Sequence, residues 1–349
     1  MTKRLRRKLK TDSIAALAFG LLSCAEPKTQ PASRVEHSPA YNRLLFAGDV
    51  MFCRGVRRQI LAAHDPAMPF RKLAPLMAAA DITFVNLESP FSDKGPYNSD
   101  GLVFHAEPQM IAGLELAGVD IASTANNHAR DSGSHGVEYT IRWLRAHGIT
   151  PLGSSESCGA AHSGVVLTRG GVRFGFLGYT YDQQNGNWHD IDDRIALADP
   201  TVLCRDITAL KRRADLVIVS MHHGIEYMSH PSKAQIEFAH SAIDAGAAVV
   251  IGHHPHVIQR EEHYKDGLIF YSLGNFVFDQ YQREATQHGE MVEISFLGTQ
   301  FLTSRALPVR IVPSGPELEG LTAGRELDVS TELRAHGGKD LLRKRVLAP

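Results

Sequence analysis

From residue 43 onward the chain alternates short apolar, β-branched runs with polar turns and amphipathic stretches. The runs RLLFAGDV, ITFVNLE, VDIASTAN, VRFGFLGYT, DLVIVSMHH, AAVVIGHH and LIFYSLGNF have the length and composition of buried strands. Between them EPQMIAGLELAG, GVEYTIRWLRAHG, TVLCRDITALKRR and SKAQIEFAHSAIDAG carry helical spacing, and several close on glycine, which suits a helix C-terminus. Strands alternating with helices predict an α/β domain whose helices pack outside the sheet. Two segments break the rhythm. HSGVVLTRGGVRFGFLGYT places two runs around RGG, a hairpin signal, and GEMVEISFLGTQFLTSRALPVRIVP alternates apolar with polar residues as a half-exposed strand pair does. Part of the sheet is therefore expected to be antiparallel.

The polar residues that close these runs are chemically alike. Asp49 follows LLFAG, Asn86 and Glu88 close ITFVNLE, and Asn126, Asn127 and His128 follow IASTA; His222 and His223 close DLVIVSMHH, and His253, His254 and His256 follow VVIG. Ligand crevices of open α/β sheets form beyond the carboxyl ends of strands, where loops converge from fixed roots. Each piece alone has a plainer reading: Gly-Asp as a turn or cap, Asn and His as left-handed turn residues, GHHPH as a solvated loop. Unrelated surface residues would not all choose the same end of five strands, so the joint pattern points to metal. Carboxylate, amide oxygen and imidazole without thiolate suit Mn²⁺, Fe²⁺ or Zn²⁺. Several imidazoles and a carboxylate able to bridge suffice for two divalent ions, about 3.5–4 Å apart in such centres, and His128, left unligated, is placed to protonate a leaving group.

Composition narrows the picture. With 37 basic and 38 acidic residues and a formal charge of −1, the chain of 349 residues has no global pull toward nucleic acid, and no basic stripe marks the domain. None of the four cysteines shows C-x-x-C spacing, which argues against a thiolate zinc site or a thioredoxin-type motif. The first residues, MTKRLRRKLK, are basic and are followed by an apolar run over residues 14–22, too short to span a bilayer and suited to an export signal. This signal ends in LLSC, which resembles a lipobox with Cys24 as the acylated residue; an ordinary secretory signal with a chance cysteine, or an unprocessed amphipathic start, is the alternative. The expected organisation is a signal over 1–23, a tether over 24–42, one domain over 43–313 and a tail over 314–349 with a short terminal helix. The loops SDKGPYNSDGLVFHAEP and YDQQNGNWHDIDDR are expected to line the site, with Tyr181 and Trp188 either stacking on a ring or covering the core.

The blocks FAGDVMF, ADITFVNLESP, GVDIASTANNHARDSG, MHHGIEY, GAAVVIGHHPHVIQ and IFYSLGNFVFD occur in the order found in the CapA family of bacterial poly-γ-glutamate capsule synthesis, which the chain resembles over residues 43–313. The resemblance implies a metallophosphoesterase-like four-layer α/β/β/α sandwich with mixed sheets and a dinuclear metal centre at one end of them. It implies Asp49, Glu88, Asn127, His222, His254 and His256 as metal ligands, and His128 as the catalytic histidine. His253 and His223 become bystanders or supporting groups. Glu226 of HHGIEY belongs to the same pattern as an acid, base or substrate contact, with a capping or salt-bridged surface glutamate as the alternative; Asn275 of YSLGNF orients a ligand from behind. One position departs from the phosphoesterases: their Asp-x-His is Asp49-Val50-Met51 here, one imidazole short. The expected function is a metal-dependent hydrolase or transferase, exported and held by an N-terminal lipid at the outer side of the cytoplasmic membrane or in the periplasm, that acts on poly-γ-glutamate or another anionic envelope polymer. The alternative is a non-catalytic tethered subunit that binds the polymer or its synthase.

Overall fold

A computed structural model describes residues 40–97, 100–157, 159–181 and 193–319. The expectations for the export signal, Cys24, Trp188 and the terminal helix fall outside the described residues. The first sheet contains β1 (Tyr41–Val50), β2 (Ile82–Leu87), β3 (Ile121–Ser123) and β4 (Thr150–Leu152), all parallel. The second contains β5 (Val165–Arg169), β6 (Val172–Thr180), β7 (Leu216–His222), β8 (Val249–His253), β9 (Glu261–Tyr264) and β10 (Gly267–Phe270) in the order β5-β6-β7-β8-β10-β9. The chain then returns to the first sheet as β11 (Asn275–Val277), β12 (His288–Leu297), β13 (Gln300–Val312) and β14 (Gly315–Leu318), giving the order β14-β13-β12-β1-β2-β3-β4 with β11 against the end of β1. The hairpins expected at RGG and around GTQ are the antiparallel pairs β5–β6 and β12–β13.

Alternation along the strands sets the layers. One face of β1 and β2 carries Leu44, Phe46, Ile82 and Phe84, which pack against Phe174, Phe176, Ile218 and Ile251 of the second sheet in a shared buried core. The opposite face of the first sheet, with Leu45, Ala47 and Val85, is covered by the helices α1 (Arg54–Ala63), α2 (Ala74–Met77), α3 (Ile111–Leu116) and α4 (Gly133–Ala146). The outer face of the second sheet, with Val217, Val219 and Val250, is covered by α5 (Pro200–Leu210) and α6 (Lys233–Asp244). The architecture is the expected α/β/β/α sandwich of mixed sheets. Among the described residues no helix is long and apolar enough to cross a membrane.

Three features differ from the sequence pattern. LIFYSLGNF is two strands in different sheets: β10 ends at Phe270 in the second sheet, and the chain turns at Gly274 so that Asn275 pairs with Asp49 in the first. The first sheet continues past Pro313 into β14, which pairs with β13. Helix α1 has no capping side chain at Cys53, and only Val56 and Ile60 are buried, so its sequence carries neither a start signal nor a broad apolar stripe.

Candidate metal centre

Strand register brings the polar ends together. Asp49 pairs with Asn86, Asn86 with Ser123, and His222 with His253, so β1, β2, β3, β7 and β8 finish at one end of the two sheets. The absence of a side chain at two points allows this closeness. A Cβ on Gly48 would lie 2.1 Å from the carbonyl oxygen of Gly274, and one on Gly252 would lie 2.0 Å from that of Tyr271. Beyond β8 the loop is strained at the chemistry itself, with His254 at φ 98° and His256 at φ 59°.

Asp49, Glu88 and His256 are buried and offer ligand atoms that all lie within 4.8 Å of one another. Glu88 Oε1 is 3.6 Å from His256 Nε2 and 3.9 Å from Nε2 of both His128 and His222. Yet neither Glu88 oxygen has a hydrogen-bond partner, although the residue is 0% exposed. Burial first, and the Asp49 charge second, hold its carboxyl well above the usual carboxylate range. Burial would raise Asp49 too, but His253 and His256 hold its carboxyl well below the ordinary value. Their Nδ1 atoms each lie 3.3 Å from an Asp49 oxygen.

The hydrogen bonds fix ring orientations. Asn275 Nδ2 donates to Thr286 O at 3.0 Å and to Gln280 Oε1 at 3.2 Å, so its Oδ1 must face His256 Nδ1, 3.0 Å away. Nδ1 then carries the hydrogen, leaving the Nε2 lone pair directed toward Glu88. Asn86 Nδ2 donates to Asp49 Oδ1 at 2.8 Å and lies 3.2 Å from His222 Nδ1, which accepts; His222 Nε2–H therefore donates to Asn127 Oδ1 at 2.7 Å. His128 Nδ1 donates to the buried Asp131 Oδ2 at 2.7 Å, and Phe104 stacks on its ring at 3.8 Å, which leaves Nε2 facing Glu88. His254 sends its backbone N–H toward Asp49 Oδ2 at 3.3 Å, while its Nδ1 is buried without a partner. Burial, then the His256 charge, push its pKa down to about 3, and burial also holds His222 well below the usual histidine range. A neutral imidazole can offer a cation the lone pair that a protonated one lacks, and His222, which points an N–H at Asn127, would give up that proton on binding an ion.

The expected residues thus fall into groups. Asp49, Glu88, Asn127, His222, His254, His256 and His128 converge. Glu226 stands apart, exposed in the turn after β7, and acts on the cluster through its charge, which adds to the upward shift of Glu88. Strand alternation sends His223 the other way, toward Phe238 of the outer core at 6.3 Å between ring centres. His253 is closer to the chemistry than a bystander: it is fully buried beside Asp49, with both ring nitrogens lacking a hydrogen bond. Met51, at the place of the missing imidazole, is buried in the apolar core under the helices. Sequence reasoning did not single out Asp131 or Arg54; the aspartate of ARDSG, three residues past His128, is a signal that could have found the first.

Orphaned carboxylate oxygens amid neutral imidazoles fit a divalent cation: a buried anion unsatisfied by protein donors is stabilised by positive charge from outside the chain. Two mixed sheets with flanking helices form a metallophosphoesterase-like fold, with this cluster at the common end of the sheets. Solved structures share the fold, among them the NAD nucleotidase NadN of Haemophilus influenzae (TM-score 0.51, 11% identity, 86% of this chain and 57% of that chain). A novel phosphatase from Mycoplasma pneumoniae is similar as well (TM-score 0.50, 13% identity, 78% and 94%). Residues 43–280 match the family described as bacterial capsule synthesis protein PGA_cap. The chain is 33% identical over 263 residues to the capsule biosynthesis protein CapA of Bacillus anthracis, covering 72% of this chain and 64% of that protein. It is 31% identical over 239 residues to the PGA biosynthesis protein CapA of Bacillus subtilis (strain 168), covering 67% and 63%. The chain belongs to the PGA_cap family of bacterial capsule synthesis proteins. It spans somewhat less than two thirds of the length of these two relatives.

Proposed function

We propose that the chain is a metal-dependent hydrolase or transferase of the metallophosphoesterase type that serves synthesis of a poly-γ-glutamate capsule or a related anionic envelope polymer. The observation that carries this reading is Glu88, a buried carboxylate with both oxygens unpartnered amid Asp49, His128, His222 and His256. The names of the relatives, capsule and PGA biosynthesis proteins, support the polymer. Asp49, Glu88, Asn127, His222, His254 and His256 would hold two divalent ions, Mn, Fe or Zn. Bound there, the ions supply a lowered pKa for water and polarisation of the oxygen under attack. His128, fixed by Asp131 through Nδ1, presents Nε2 to pass a proton to the leaving group, and Glu226 meets the substrate at the mouth. The N-terminal segment exports the chain and Cys24 carries the lipid that holds it at the membrane, beside the capsule synthase.

The test is turnover of a chromogenic phosphodiester and of γ-linked polyglutamate by the full chain with added Mn²⁺ or Zn²⁺. The expected result is ion-dependent turnover that falls about 10²–10⁴-fold in His128→Gln. Absence of turnover of either substrate by ion-loaded wild-type protein overturns the catalytic reading. Met51, an apolar core residue where the phosphoesterases place an imidazole, favours a second reading: a non-catalytic tethered subunit that binds the polymer or its synthase. Capsule production that survives Asp49→Ala and fails in Cys24→Ser selects that second reading.

A further inference from the structure

We propose that Gln280 and Thr286 are positioning residues for the metal centre: they hold the Asn275 amide in one orientation and thereby fix which nitrogen of His256 is free to bind an ion. The proposal rests on the reading of His256 as a ligand, and its structural part is decided in protein without ions.

A backbone carbonyl sets the direction. Thr286 O can only accept a hydrogen bond, so the end of the Asn275 amide that faces it at 3.0 Å is Nδ2. The second hydrogen of Nδ2 goes to Gln280 Oε1 at 3.2 Å, and Asn275 Oδ1 is left for His256 Nδ1 at 3.0 Å. Rotated by half a turn, the same amide would point an N–H at Nδ1. The imidazole hydrogen would then move to Nε2 and block the nitrogen that faces Glu88 at 3.6 Å. Both acceptors that oppose this rotation come from one short segment.

That segment is closed on itself and anchored at both ends. The buried Thr286 hydroxyl is shared between Gln280 O at 2.5 Å and Arg283 O at 2.9 Å, which holds residues 280–286 in a tight turn. Just before the turn, Asp279 pairs with Arg54 and accepts from Gly55 N at 2.7 Å, fixing the start of the segment to α1. Gln280 is buried as well, and its Nε2 donates to Tyr227 Oη at 3.3 Å, which keeps Oε1 turned toward Asn275. Tyr227 is itself held: its N–H donates to Pro255 O at 2.8 Å, its backbone sits at φ 66°, and the Arg283 guanidinium carbon lies 4.6 Å from its ring centre. The loop after β7, the turn over 280–286 and the His254-Pro255-His256 loop therefore lock one another. A turn that served stability alone would leave the tautomer of His256 indifferent to these side chains.

The experiment is long-range proton–nitrogen correlation spectroscopy of the full chain with isotope-labelled histidine, stripped of ions with chelator at pH 7. The His256 signals are those lost in His256→Gln. The expected result is a single His256 form in wild type, with the hydrogen on Nδ1, and a mixture with hydrogen on Nε2 in Gln280→Leu and in Thr286→Val. Thr286→Ser keeps the hydroxyl and restores the wild-type pattern. Zn²⁺ affinity by chelator competition falls about tenfold or more in Thr286→Val and stays at the wild-type value in Thr286→Ser. An unchanged His256 pattern in Gln280→Leu and Thr286→Val, or the same change in Thr286→Ser as in Thr286→Val, overturns the proposal. If the buried variants do not fold, Tyr227→Phe decides: a smaller admixture of the second form supports the proposal, and the wild-type pattern overturns it. Absence of Zn²⁺ binding by wild type overturns the metal reading, a result distinct from the His256 pattern, which is read without ions.

Discussion

Replacing Glu88 by glutamine separates what the fold tolerates from what the centre needs. Without ions, a carboxyl that is 0% exposed and unpartnered stays protonated to a higher pH than in the unfolded chain, since burial and then Asp49 raise its pKa. The folded state therefore keeps a proton that the unfolded state loses, and stability falls as pH rises from the ordinary glutamate value of 4.5 through the folded pKa. The cost accrues at about 1.4 kcal/mol per pH unit across that window. Glutamine has the same shape and no charge. Its amide remains poorly partnered, which offsets part of the gain, so in chelator at pH 7 Glu88→Gln is expected to be more stable than wild type by about 1–2 kcal/mol. At about 2–4 °C per kcal/mol for a domain of this size class, the difference is visible in a thermal melt. Added ion reverses the order. A ligand at 100 times its Kd stabilises the folded state by about 2.7 kcal/mol, and the variant, lacking the Glu88 carboxylate, is expected to gain less. Urea or thermal melts at pH 5 and 7, with chelator and with Mn²⁺ or Zn²⁺, decide the matter. A variant less stable than wild type in chelator at pH 7, or one that gains as much from the ion, refutes the reasoning.

Asn275→Ala removes the acceptor that fixes His256 Nδ1–H, and ion affinity by chelator competition is expected to fall about 10–100-fold. Glu290 is half-buried, and burial followed by the Glu261 charge pushes its pKa up to about 7. In ion-saturated protein, Glu290→Gln is expected to remove about 1–2 kcal/mol of the stability lost between pH 4.5 and pH 7, read by urea titration at the two ends; an unchanged slope contradicts the assignment.

Much of the centre was legible because its residues close strongly patterned runs. Apolar β-branched segments ending in Asp49, Glu88, Asn127, His222 and His256 announce both the strand and the end at which these side chains meet. Asn275 was also legible as an orienting residue, though not the change of sheet that delivers it: LIFYSLGNF reads as one mostly apolar run, and nothing local says that it leaves one sheet for the other. Arg54 was invisible for a different reason. Its place against Phe104, Phe278 and Asp279 comes from contacts more than 45 residues away in sequence, and its positive φ breaks the usual preference for glycine. Proximity of His253 to Asp49 likewise depends on how the second sheet packs on the first, which periodicity within one strand does not encode.

The central claim, that donors from five strand ends grip cations together, is tested most directly by the metal content of purified chain. Wild-type protein loaded with Mn²⁺ or Zn²⁺ and desalted is expected to retain about one to two ions per chain by elemental analysis, and folded Asp49→Ala/His256→Ala close to none. Equal content in the two proteins would contradict the account.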